Sequence, residues 1–73
     1  MSSVGALGET ARVDGFALAG ALVFAADDAR AVDAMWNELP DDLGVLILTP
    51  YAAEHLGARL GERPRLLTVV MPR

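Results

Sequence analysis

No cysteine and no lysine occur in these 73 residues, and histidine occurs once. The missing thiols exclude disulfides, thiol nucleophiles, zinc–thiolate sites and iron–sulfur clusters. The missing lysine excludes Schiff-base chemistry and the phosphate-gripping lysine of a P-loop. A single histidine excludes an all-histidine metal centre. Long apolar runs are missing too. The longest, Gly15 to Ala26, is well short of the ~20 residues that a spanning helix needs. The opening Met1-Ser2-Ser3 has no basic region of the kind that starts a signal peptide. A cytoplasmic protein is therefore expected.

What is present is a globular composition, 53% hydrophobic and 22% charged. The length allows one domain, residues 1–73. A chain this short buries only ~60% of the surface its unfolded form exposes. Its core must be compact, or a partner must supply contacts. The net charge is −4, with six scattered arginines. Such a surface is a poor electrostatic match for nucleic acid or anionic lipid, so neither is expected as a partner.

The apolar period changes several times along the chain. Ser3 to Leu7 is a short apolar strand, weak by propensity, whose small residues suit close packing in a central position. Thr10 can cap the helix that follows, where Val13, Phe16, Ala17 and Gly20 recur on one face and Gly20 ends it. Leu22 to Ala25 has strand length, and Asp27-Asp28 offer two caps for the clearest helix. Its face is Ala31, Val32, Met35, Trp36 and Leu39, and Pro40 ends it. Val45 to Leu48 is continuously apolar, as in a strand covered on both faces. Thr49-Pro50 is a cap followed by proline at the first helical position. Ala53, Leu56 and Leu60 line that third helix, with Gly61 as its stop, and Leu66 to Met71 is the last strand.

The order β-α-β-α-β-α-β predicts an α/β fold, a four-stranded parallel sheet flanked by three helices. Right-handed crossovers give the strand order 2-1-3-4, with Leu22–Ala25 and Leu66–Met71 at the edges. Phe16, Met35, Trp36, Ile47, Leu56 and Val69 are the expected core.

Ligands of open α/β sheets sit beyond the carboxyl ends of the strands. Here those ends carry Gly8-Glu9, Asp27-Asp28, Thr49-Pro50 and Met71-Pro72, which are acidic and hold no basic group for phosphate. Gly5 and Gly8 do not form a dinucleotide fingerprint, and no P-loop exists. A phospho-receiver needs an aspartate at the end of the third strand, where this chain has Thr49, and an acid pair where it has Glu9 alone. Asp27, Asp28, Asp41 and Asp42 fit a helix cap and a solvated loop better than a cation site. His55 is read as a surface residue on the third helix, and Trp36 and Met35 as core. Ser2 and Ser3, in a frayed terminus, have no base to activate them. No catalytic, cofactor-binding or metal-binding residue is assigned.

The stretch Gly8 to Gly20, GETARVDGFALAG, resembles the opening of the F-subunits of V-type and A-type rotary ATPases. That family has a strand, a Gly-Asp turn and a helix reading G-F-x-L-A-G; Gly15, Phe16, Leu18, Ala19 and Gly20 match. Val45-Leu46-Ile47-Leu48-Thr49 looks like its third strand, and Leu67 to Pro72, LTVVMP, like its last. The similarity covers almost the whole chain. Glu9 stands where the family has aspartate, and the family's C-terminal helix is absent from these residues.

The resemblance implies a four-stranded parallel sheet and a non-catalytic place in the central stalk. There the protein would bind the coiled-coil stalk subunit and turn with it, coupling ATP turnover to proton or other ion transport. It also implies a cytoplasmic position, peripheral to the membrane. The edge strand near the chain end is the expected docking or self-association surface, with Leu66, Thr68, Val70 and Pro72 as candidate partner-binding residues. The competing reading is a free-standing receiver-like signalling or small-ligand-sensing domain, with Glu9 and Thr49 beside the ligand.

Overall fold

Gly5, Ala6 and Gly8 make a poor strand by propensity. Yet in the computed structural model, which describes residues 3–73, β1 (Ser3–Gly8) runs through the middle of the sheet. Close packing is the reason. A Cβ at Gly5 would lie 2.7 Å from the Phe24 ring and 3.2 Å from Leu43. Glycine therefore lets both side chains lie across the strand. Ser3 belongs to this strand and its N–H donates to the Asp42 carbonyl at 3.4 Å, so it is not a frayed end. Ser2 lies outside the described residues.

The other strands are β2 (Leu22–Ala25), β3 (Leu43–Leu48) and β4 (Leu67–Val70). All pairs are parallel and the order is β2-β1-β3-β4, as expected. Helices α1 (Thr10–Val13), α2 (Ala29–Glu38) and α3 (Pro50–Leu56) connect them. Tight 3-10 segments, Asp14–Ala19 and Gly57–Glu62, extend α1 and α3.

The β1→β2 step moves one way along the sheet and the next two steps move the other. Right-handed crossovers therefore set α1 on one face and both α2 and α3 on the opposite one. The register sorts the strands in the same way. Leu7 pairs with Phe24 and Leu48, and Leu46 with Thr68, on the paired-helix face. Val4 pairs with Val45, which pairs with Leu67, and Ala6 with Ile47, which pairs with Val69, on the α1 face.

The main core lies under α2 and α3. It joins Leu7, Val32, Trp36, Leu39, Leu46, Leu48, Ala52 and Leu56, all buried. Trp36 and Leu56 take their expected places. Phe16, Met35 and Ile47 are half-buried rather than core, and Val69 is 47% exposed. Val69 and Ile47 face the α1 side, where no element covers β4. For the same reason β3 is fully covered on one face only: Leu46 and Leu48 are buried, Val45 and Ile47 half-buried.

The helix ends follow local chemistry, with two corrections. Asp28 caps α2 by accepting from the Ala31 N–H at 2.8 Å, and Thr49 caps α3 with Pro50 at its first position. Gly20 closes the first 3-10 segment at φ +88°. Thr10 does not cap α1: Glu9 holds that position, and the Thr10 hydroxyl turns to Asp27. Gly61 is not the stop of the third helix. Gly57, at φ +50°, breaks α3 into its 3-10 continuation a turn earlier. Asp14-Gly15 weaken the first connection similarly, because both residues are poor helix formers.

Candidate functional site

The crevice between β1 and β3 is the point where the connections change direction, the usual ligand position of such sheets. Here the chain's own side chains occupy it. Thr49 follows β3, is fully buried, and stands against Gly8, where a Cβ would lie 2.2 Å from its methyl group. Its hydroxyl donates to Glu9 Oε1 at 2.5 Å and accepts from the Ala52 N–H at 3.3 Å. Beside it Thr10 donates twice to Asp27, from its N–H at 2.9 Å and its hydroxyl at 2.6 Å. Those bonds hold the Asp27 carboxyl below its usual range. Thr49 and Glu9 are thus brought together, as the ligand-sensing reading supposed, but they bond to each other. Asp41 and Asp42 sit in the turn before β3, away from Asp27 and Asp28.

A polar seam closes the outside of the α2–α3 pair. His55 Nε2 meets Asp33 at 3.1 Å. Arg59 reaches Asp33 at 3.1 Å, Asn37 at 2.6 Å and Glu62 at 3.3 Å. The buried Trp36 donates its indole N–H to Glu62 at 3.1 Å. The Arg63 guanidinium lies 5.6 Å from the Trp36 ring centroid and donates to the Trp36 and Leu39 carbonyls. His55, then Arg59, lowers the pKa of Asp33; Arg59, then Trp36, lowers that of Glu62; Glu62 raises that of Arg59. The seam anchors the segment that leads into β4. His55 is exposed on α3, as expected, and this partnership accounts for it.

The remaining feature is apolar. On the α1 face, Leu67 is 61% exposed, Val69 47% and Val4 43%, with Val45 and Ile47 half-buried between them. Phe16, Ala19, Gly20 and Ala21 wall one side, forming with Ser3, Val4 and Ile47 a groove of about 480 Å³. The Ser3 hydroxyl is buried without a hydrogen-bond partner. Leu18 projects from the same 3-10 segment, 95% exposed. Apolar surface gathered in this way marks an interaction site more often than single exposed side chains do.

The four residues singled out in sequence sit mainly on the other face. Thr68 and Val70 pair with Leu46 and Leu48 beside the main core; Thr68 is half-buried and Val70 51% exposed. Leu66 packs against that core, and exposed Pro72 accepts from Arg12 at 3.1 Å through its carbonyl. Leu67 and Val69 were missed. The order 2-1-3-4 already carries the signal: two of three crossovers fall on one face, which leaves the other face bare over β3 and β4.

Among the described residues no helix is long and apolar enough to cross a membrane. Comparison with protein-family models, curated proteins and solved structures finds no match.

Proposed function

We propose that this chain is a non-catalytic docking module, the globular part of a central-stalk subunit of a V/A-type rotary ATPase. In this reading it binds the coiled-coil stalk subunit and turns with it, on the cytoplasmic side and peripheral to the membrane. The observation that carries the proposal is the open apolar half of the α1 face. Val4, Val45, Ile47, Leu67 and Val69 form a floor beside the wall made by Phe16 and Ala19. A helix packs about 10 Å from its neighbours, so a helix lying on β3 and β4 would fit beside the first 3-10 segment. It would complete the second layer that parallel sheets require. The G-F-x-L-A-G resemblance supports a coiled-coil helix as the occupant. The packed Thr49–Gly8 contact argues for docking over ligand sensing, because it fills the position that a small ligand would take.

Sedimentation velocity of the chain, alone and mixed with a coiled-coil stalk subunit, tests the reading. A one-to-one complex with the native chain, lost in Leu67→Lys and Val69→Lys, is the expected result. Absence of a complex, or one indifferent to both changes, removes the proposal's support. The chain itself performs no phosphotransfer in this reading. Its mass should therefore stay unchanged after incubation with acetyl phosphate and magnesium.

A further inference from the structure

The outer edge of β4 is a second surface, distinct from the open sheet face. β4 ends the sheet order, so the N–H and C=O groups on its outer side face no strand. Natural edge strands are commonly blunted by a charge or a proline within the strand. Leu67-Thr68-Val69-Val70 contains neither. Its charges stand at the two ends instead. Arg65 lies just before it and Arg73 just after, and Arg12 reaches the same end through its bond to the Pro72 carbonyl. Glu54 pairs with Arg73, and Asp41 shares a cleft with Arg65 and Arg63. Among the described residues Arg65 and Arg12 have no ion pair. In a chain of net charge −4, this edge is bracketed by cations.

The bracketing decides between occupants. A second copy, pairing antiparallel about a two-fold axis, would set Arg65 of one molecule beside the end of the other that Arg12 reaches, where Arg73 is already paired with Glu54. Like charges directly opposed across strands are destabilising. A strand with carboxylates at its ends meets opposite charge whichever way it runs. We propose that the β4 edge accepts, by strand addition, an extended segment of a different protein. That segment is apolar and β-branched along its centre and carries a carboxylate at each end. Backbone bonds to β4 supply the pairing, apolar side chains sit beside Leu67 and Val69, and the terminal carboxylates meet Arg65 and Arg12.

The test is a titration of the isotope-labelled chain with three synthetic peptides sharing one β-branched core, followed through the backbone amide resonances. One peptide has glutamate at both ends, one has lysine at both ends, and one is the glutamate peptide with alternate backbone amides N-methylated. The glutamate peptide should shift the Leu67–Val70 amides saturably and leave α2 still. The lysine peptide should bind about tenfold more weakly, the factor that two exposed ion pairs supply. N-methylation should abolish the shifts, because it removes the donors of the new ladder. Arg65→Glu, at an exposed position, should erase the preference for glutamate ends while keeping the native spectrum elsewhere. Several results would overturn the proposal: no binding, equal binding of the charged peptides, retained binding after N-methylation, or shifts confined to Val4, Phe16 and Ile47. Self-pairing of the free chain through β4 in sedimentation would overturn it as well.

Discussion

The two faces of one sheet are built from the same four strands and end in opposite states. On the paired-helix face, Trp36, Leu39 and Leu56 from α2, its end and α3 close over Leu7, Leu46 and Leu48. On the α1 face, the buried apolar side chains shrink to Ala6 and Val13, and Leu67 and Val69 stay in solvent. Strand composition does not make this difference, because Val45 and Ile47 are as apolar as Leu46 and Leu48. Chain direction makes it: two crossovers land on one face and one on the other. The single element on the second face is a short helix continued by a 3-10 segment. In a domain with ~5–15 kcal/mol of stability, the first face carries the fold and the second is left for something else.

The largest effect expected from this contrast is that of Trp36→Ala. It removes a fully buried side chain that also bonds Glu62, and should cost ~3–5 kcal/mol, enough to unfold much of the population. Phe16→Ala on the other face removes a half-buried ring and should cost roughly half of that range. Thermal or urea melts of both variants check the ranking, and equal losses would erase the distinction between the faces.

Next is Gly8→Ala, which drives a methyl group into Thr49 and should cost at least the ~1–3 kcal/mol of an overpacked core. Thr49→Ala alone loses the α3 cap, about 1 kcal/mol. The double variant should be more stable than the sum of the two losses, because the two nearest clashing atoms, Oγ1 and Cγ2, are gone and only the Thr49 Cβ remains close. A urea-melt double-mutant cycle measures that coupling, and simple additivity would show that Gly8 and Thr49 do not press on each other.

A smaller, pH-dependent effect belongs to the seam on the paired-helix face. The pKa values of Asp33 and Glu62 are lowered in the folded chain by their partners. Their stabilisation is therefore fully present above the ordinary carboxylate range, and is lost as pH falls below about 4 through the lower folded values. Trp36 is the only tryptophan and contacts Glu62 directly, so its emission should change over that window. Glu62→Gln should flatten the acid limb of stability against pH; an unchanged limb would remove Glu62 from the network. The smallest stability effect is expected from Val69→Thr on the open face, within ~0.5 kcal/mol of the native chain. A loss of several kcal/mol in a urea melt would mean that the α1 face carries core weight after all.

Much of the architecture was legible before the structure. The strands, the caps at Asp28 and Thr49 and the left-handed Gly20 follow from local chemistry, and the order 2-1-3-4 agrees with the expectation. The helix face of Val32, Trp36 and Leu39 was equally plain, because its period is set by one element. The open face was harder to see. Exposure in β4 does not alternate, Val69 and Val70 being about equally exposed, so no period of two marks Leu67 and Val69 as the residues of the bare face. Gly57 was also hidden, since glycine at 57 and glycine at 61 offer the same freedom, and the break falls where α3 must release the chain toward β4.

The alternation of elements, the parallel sheet and most helix boundaries could be read from the residues alone. They depend on neighbours along the chain and on the handedness of L-residues. Which apolar residues form the core could not be read that way and emerged with the packing of the layers. Leu46 and Ile47 are adjacent and chemically alike, yet one lies under α2 and α3 and the other on the incompletely covered face. Burial depends on what comes to rest above a residue, and elements distant along the chain supply it.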